Sequence, residues 1–265
     1  MDSQGRVLSN ELLSATLERI RFRQIKGAKM VTKAVEEVLS ACKYRENPYF
    51  SNLRDGGFSR EDFIETQIQF AWAVFFFPRP MAALVAKIPQ GQLRVEIIRN
   101  VFEEHGEGAS EKFHAHTFRE LLSRMGVSEA EFNKRSLWPE VRCFNTALAG
   151  ACVLDEWLIG TAIMGIIERM FVDISHWLAE GIVARGWLPR EKMIHYNLHE
   201  ELDVKHAHDF FEVLQPSWDK GLQERYWVQQ GLLLGAYIFN SLYDGLYLAR
   251  KRRLFVEPGY PPHVF

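Results

Sequence analysis

Cysteine is scarce in this chain: Cys42, Cys143 and Cys152 are odd in number and show no metal-type pairing. That argues against a disulfide framework and suits free thiols in a reducing compartment. Net charge is low as well. At −2, with the cations at the end of the last helix as the one basic stretch, the chain lacks the electrostatic footprint of a nucleic-acid-binding surface. Apolar stretches such as GTAIMGII are interrupted well before membrane-spanning length, and the N-terminal MDSQGRVLSNELL has acidic residues where a signal peptide has an apolar core. Alternating strand patterns, internal repeats and low-complexity linkers are absent too. The expectation is a cytoplasmic protein with neither a nucleic-acid nor a membrane partner.

What is present is helical periodicity. Residues 8–43 read as amphipathic helix broken near Gly27, with Leu13, Leu17, Ile20, Val31, Val35, Val38 and Leu39 as inward positions. Ser59 caps a helix that runs from REDF through QIQFAWAVFFFPRPMAALVAKI, kinked at Pro78 and Pro80. Another helix starts near Gln92, passes the glycines of HGEG and ends at Gly126; Ser128 and Glu131 then form a capping box. A long apolar helix is expected from about Asn145 to Gly186, another over Glu191–Leu214 stopping before Pro216, and a last one from Trp227 ending in cations. The fold class is all-α. The 19 Phe and 7 Trp supply a generous aromatic core. One helical domain over 1–265 is expected, with N-terminal helices (1–46), a ligand-bearing core (47–214) and a C-terminal helix and tail (215–265).

Three segments carry ligand chemistry. In YNLHEELDVKHAHDFF, His199, Asp203 and His206 are spaced by four and three residues, which at roughly 100° per residue puts them on one helix face. Two imidazoles and a carboxylate on one stripe suit a first-row transition metal; the competing reading is a solvated polar face with Glu200, Glu201 and Lys205. In VFEEHGEGASEKFHAHTF, Glu107 and His114 would share a face of a continuous helix and Glu104 would not, although Gly106 and Gly108 make an interruption plausible. Glu168 lies among Met164, Gly165, Phe171 and Val172, where a carboxylate is costly unless paired with an arginine or bound to a metal. His195, one turn before His199, reads as an ordinary partly buried histidine, with a ligand or an outer hydrogen-bond donor as the alternatives. Trp72, Phe75, Phe76, Phe77 and Arg79 are candidates to line a substrate pocket, the rings against an apolar portion and Arg79 against a carboxylate; the competing readings are core packing for at least two of the rings and a surface position for Arg79.

FEEHGEG followed by His114, then Glu168 in an apolar helix, then HEELDVKH, resembles the haem-oxygenase-like di-metal oxidase and oxygenase superfamily, whose fold is that of TenA, PqqC and CADD-like proteins. The resemblance covers roughly Asn47 to Leu214 and includes FFFPRPMAAL. It implies a multi-helix bundle with Glu104, His114, Glu168, His199, Asp203 and His206 as metal ligands, taking Glu104 rather than Glu107. It further implies two irons, or manganese with iron, with dioxygen as cosubstrate and Glu104 and Glu168 as the catalytic bridging carboxylates. A small amino-acid-derived or fatty-acyl substrate, an external electron donor and a homodimer complete the expectation. Some members use one more Glu where Phe75 stands here; Glu65 and Gln69 are poor substitutes, so the second metal is expected to be held more weakly. The tyrosines and lysine that CADD-like proteins consume in making p-aminobenzoate correspond to Phe50, Ile167 and Leu178; Tyr49 adjoins the first and is a candidate substitute, but the other two have none, which weighs against that self-sacrificing chemistry. The competing readings are a metal-free PqqC-like oxidase, a TenA-like enzyme using Cys143 or Cys152, and a non-enzymatic interaction protein.

Overall fold

Local signals set most helix starts in the computed structural model, which describes residues 30–257. Leu13, Leu17, Ile20 and the tail beyond 257 lie outside the described residues. Helix α1 (Val31–Cys42) buries Val31, Val35, Val38 and Leu39, as its periodicity predicts. Helix α2 (Pro48–Asp55) is capped by Asn47 and α3 (Arg60–Phe76) by Ser59, whose side chains accept from the Tyr49 and Asp62 amides. Pro78 then opens α4 (Pro78–Lys87), where its missing N–H costs nothing, so the expected kink is a change of helix at Phe77. Taken together, Arg60–Lys87 is long and apolar enough to cross a membrane, but 56% of its most apolar window is buried inside the protein, as in a core helix.

Helix α5 (Gly91–Glu104) ends at His105, two 3-10 turns follow (Gly106–Gly108 and Ser110–Lys112), and α6 (His114–Arg124) begins. The Ser128–Glu131 capping box opens the short α7 (Glu129–Asn133). The expected single helix from Asn145 is instead two, α8 (Pro139–Val153) and α9 (Trp157–Ala184). Asp155 breaks it: its side chain accepts from the Glu156 amide and competes with the helical ladder. Helix α10 (Ile194–Trp218) runs past Pro216, which sits in the last turn and removes only one ladder bond. Helix α11 starts earlier than expected (Leu222–Ala249), and Arg250 beyond it donates to the Tyr247 carbonyl.

Most of α9 is buried, and glycines let its neighbours close on it. A Cβ on Gly165 would lie 2.8 Å from Phe210 of α10, and one on Gly235 of α11 would lie 2.5 Å from Ile166 of α9. These approaches bring Glu168 of α9 against the histidine face of α10. The segment after α11 ties down the far side: Arg252 pairs with Glu140 and Arg253 with Asp62, while the Val256 amide donates to the Lys134 carbonyl. Among the described residues the structure is helical apart from one isolated bridge, Arg135 to Phe255.

Candidate metal centre

Glu104 is the last residue of α5 and His114 the first of α6, so the link between them decides whether they meet. Gly106 adopts φ +56° against the backbone of Lys112, where a Cβ would come within 2.6 Å of the Lys112 carbonyl carbon. Glu107 itself is left-handed at φ +55° and exposed. The chain doubles back, and Glu104 Oε1 ends 3.0 Å from His114 Nδ1. Helical spacing, which favours Glu107, fails because the helix does not continue. The resemblance, which favours Glu104, names the inward residue.

Helix α10 supplies His199, Asp203 and His206, and α9 supplies Glu168. With Glu104 and His114, all six side chains are at most 5% exposed. His199 Nδ1 donates to Asp203 Oδ1 at 2.7 Å, leaving Nε2 for a ligand. His206 does the reverse: Nε2 donates to Glu103 Oε2 at 2.8 Å and Nδ1 faces inward, 3.9 Å from Glu104, 3.8 Å from Glu168 and 3.9 Å from Asp203. Ligand atoms of Glu104, Glu168 and His206 lie within 4.8 Å of one another, close enough to hold one ion. The motif is not a solvated face: Glu200 pairs with Arg190 and Lys205 with Glu103 and Asp209, flanking a buried stripe. Nor does an arginine pair with Glu168 among the described residues.

The two members of the EE pair divide their work. Glu103, which sequence reasoning passed over, orients His206 and is itself held by Lys205 Nζ at 3.1 Å. Thr117, also missed, lies one turn after His114, and its hydroxyl sits 2.9 Å from His195 Nδ1. His195 is wholly buried, not partly so.

Burial in this cluster penalises every charge, and neighbours decide who keeps one. Burial opposes ionisation of Glu104, but His114 and then His206 outweigh it and bring its carboxyl down to about 2. Burial, followed by Asp203, pushes Glu168 up to about 7. Burial raises Asp203 well above the usual carboxylate range; His206 opposes the shift and Glu104 adds to it. Burial and His114 depress His199 to about 3. His206 is the proton holder: burial works against its cation, yet Glu168 and Glu104 raise it to about 10.

Four atoms of this set are buried without a hydrogen-bond partner, Glu168 Oε1, His199 Nε2, Asp203 Oδ2 and His206 Nδ1, while His114 Nδ1 has only the Glu104 carboxylate beside it. Each such orphan costs roughly 1–3 kcal/mol. All belong to imidazoles and carboxylates, the donor set that suits iron or manganese once a cation displaces the His206 proton, so the residues fit a bound cation.

Two cavities meet at Glu104. One has apolar walls, among them Phe70, Phe77, Phe144, Phe171 and Phe239, and a polar side of Glu104, Glu168, His195 and His199. The other is lined by Trp72, Phe75 and Arg79 together with His105, Phe113 and Arg119. Of the expected substrate residues, Trp72, Phe75 and Arg79 therefore share one cavity. Phe76 lines neither, whereas Phe77, which follows α3, lines the first. Arg119, not anticipated, stacks over Phe75 at 4.9 Å. Glu65 and Gln69 are committed elsewhere, to Arg135 and to the Ser136–Trp138 backbone.

The family model for iron-containing redox enzymes matches residues 65–236, more than half the chain. The chain belongs to this family. All six candidate ligands of this iron-containing redox enzyme fall inside the matched span. A 4-aminobenzoate synthase from Chlamydia pneumoniae is 26% identical over 145 residues, 52% of this chain, and the chain spans 61% of that protein's length. Among solved structures, a CADD-like protein of unknown function from Nostoc punctiforme aligns with TM-score 0.70 and 13% identity over 83% of this chain and 96% of that one. A TenA homologue from Pseudomonas syringae aligns with TM-score 0.67 and 15% identity over 82% and 93%. These likenesses establish the single-domain haem-oxygenase-like fold.

Proposed function

We propose that this iron-containing redox enzyme is an oxidase or oxygenase that activates dioxygen at two irons, or at manganese and iron, and acts on a small organic substrate. The observation that carries the reading is the convergence of four buried, unpartnered imidazole and carboxylate atoms from α9 and α10 beside the Glu104–His114 pair. When bound, the metal pair supplies electrons to dioxygen. The chain's own residues do the rest. Glu104 of α5 and Glu168 of α9 would be the bridging carboxylates, and His114, His199, Asp203 and His206 would hold the ions. Glu103 and Lys205 fix the His206 ring, so its Nδ1 points inward. The phenylalanine walls keep bulk water away from the Glu168 side. Trp72, Phe75 and Arg79 line the cavity assigned to substrate, with Arg79 suited to a carboxylate.

Self-consumption in the manner of a 4-aminobenzoate synthase is not part of this proposal. Phe50, Ile167 and Leu178 are buried packing residues here, with no hydroxyl or amine to give. A thiol-based TenA-like reaction has little support: Cys152 is buried and its thiol pushed up to about 12, away from a nucleophile's range, and no cysteine lines either cavity.

The test is oxygen uptake. Metal-stripped protein loaded anaerobically with Fe(II) is expected to consume dioxygen with a transient visible absorption, and Glu168→Gln is expected to do neither. Equal uptake by both would contradict the proposal.

A further inference from the structure

Helix α10 turns one more imidazole toward the centre than the six ligands account for. His195 is wholly buried, and its ring centre is 4.3 Å from that of His199 and 6.4 Å from that of His114. Its protonation is fixed by a short relay. Thr117 Oγ1 lies 3.0 Å from the His114 carbonyl, which can only accept, so the hydroxyl proton is committed there. Thr117 Oγ1 therefore accepts from His195 Nδ1–H at 2.9 Å. The ring is left with its lone pair on Nε2, which is buried, has no partner and lines the same cavity as Glu104, Glu168 and His199.

This is the arrangement of the neighbouring ligands. His199 gives its Nδ1–H to Asp203 and presents Nε2; His206 gives its Nε2–H to Glu103 and presents Nδ1. A metal-bound imidazole almost always donates its other N–H to a fixed acceptor in this way. Packing alone does not account for the residue, since a phenylalanine would fill the space beside Phe118, whose ring centre is 4.7 Å away, with no polar atom to leave unpaired.

Resting on the di-metal reading above, we infer that His195 is a further metal ligand through Nε2. It would serve an ion shared with His114 and His199, whose ring centres are 4.5 Å apart, whereas the clustered ligand atoms of Glu104, Glu168 and His206 would form the other, carboxylate-rich position. The centre is then asymmetric, with one imidazole-rich position. Imidazole-rich donors favour iron over manganese, and carboxylates suit manganese.

The experiment is iron content per full-length chain after anaerobic Fe(II) loading and desalting, with affinities from titration and helicity from circular dichroism. Wild type is expected to retain about two irons. His195→Gln is expected to retain about one, with the other weakened at least about tenfold. Thr117→Val, which keeps the side-chain shape and removes the acceptor, is expected to weaken the same single position by about 10–100-fold. If His195→Gln fails to fold, Thr117→Val decides on the same readout. Two irons with unchanged affinities in both variants would overturn the role of His195 and leave the di-metal reading standing. Loss of both irons from folded His195→Gln would overturn its assignment to one position. A wild type that binds none overturns the di-metal reading itself.

Discussion

Glu168 shows how a single residue is kept at a loss until a cation arrives. Burial, and then Asp203, raise its carboxyl to about 7, so in the metal-free protein it is ionised only at a cost. Replacing it by glutamine removes that cost while keeping the shape. Glu168→Gln is therefore expected to melt several degrees higher than wild type when both are metal-free at pH 8, on the order of 1–3 kcal/mol, and to retain no iron. A thermal melt and a metal assay check both halves. Glu104→Ala is likewise expected to lose iron and Glu107→Ala to keep it, since only the first side chain is buried in the cluster. The types of residue at the site were legible in the sequence, because histidines and carboxylates on one helical stripe have few other uses. Their supports were not. Nothing local marks Glu103, Thr117 or Arg119, whose partners are 103, 78 and 44 positions away.

At the scale of elements, the turn between α5 and α6 and the close approach of α9 to α10 carry the site. Gly106→Ala puts a Cβ into the Lys112 backbone and strains a left-handed φ, so the turn must open and part Glu104 from His114. It is expected to weaken iron binding by at least about tenfold and to lower the melting temperature. Gly126→Ala is the control: φ is +89° there but nothing lies within 4 Å of the added carbon, so it is expected to cost about 1 kcal/mol and to leave iron content unchanged. Helix existence was readable from apolar periodicity and caps, as Ser59, Ser128 and the face of α1 illustrate. Breaks were harder. Asp155 divides an apolar run through one side-chain hydrogen bond, whereas Pro216, a nominal stop, is absorbed in a last turn. The spacing argument for Glu107 failed for a related reason, since it assumed a helix where three successive residues, Gly106 to Gly108, take positive φ.

For the whole molecule, the cluster links stability to pH and to metal. His206 is raised from its ordinary 6.5 to about 10, so the folded, metal-free protein binds that proton more tightly than the unfolded chain. That stability is complete below pH 6.5 and is lost as pH rises toward 10. Glu168 acts in the same sense between its ordinary 4.5 and about 7. The metal-free protein is thus expected to melt progressively lower from pH 6.5 to 9.5, while the iron-loaded protein, whose cation takes the place of the His206 proton, is expected to change little. A melting gap that does not widen with pH would count against His206 as the proton holder. The central claim, a two-metal centre built from Glu104, His114, Glu168, His199, Asp203 and His206, is tested most directly by counting metal. Protein stripped, loaded anaerobically with Fe(II) or Mn(II) and desalted is expected to carry about two ions per chain, against none in the His199→Ala, His206→Ala double variant. Wild type that retains no more iron or manganese than that variant would contradict the account.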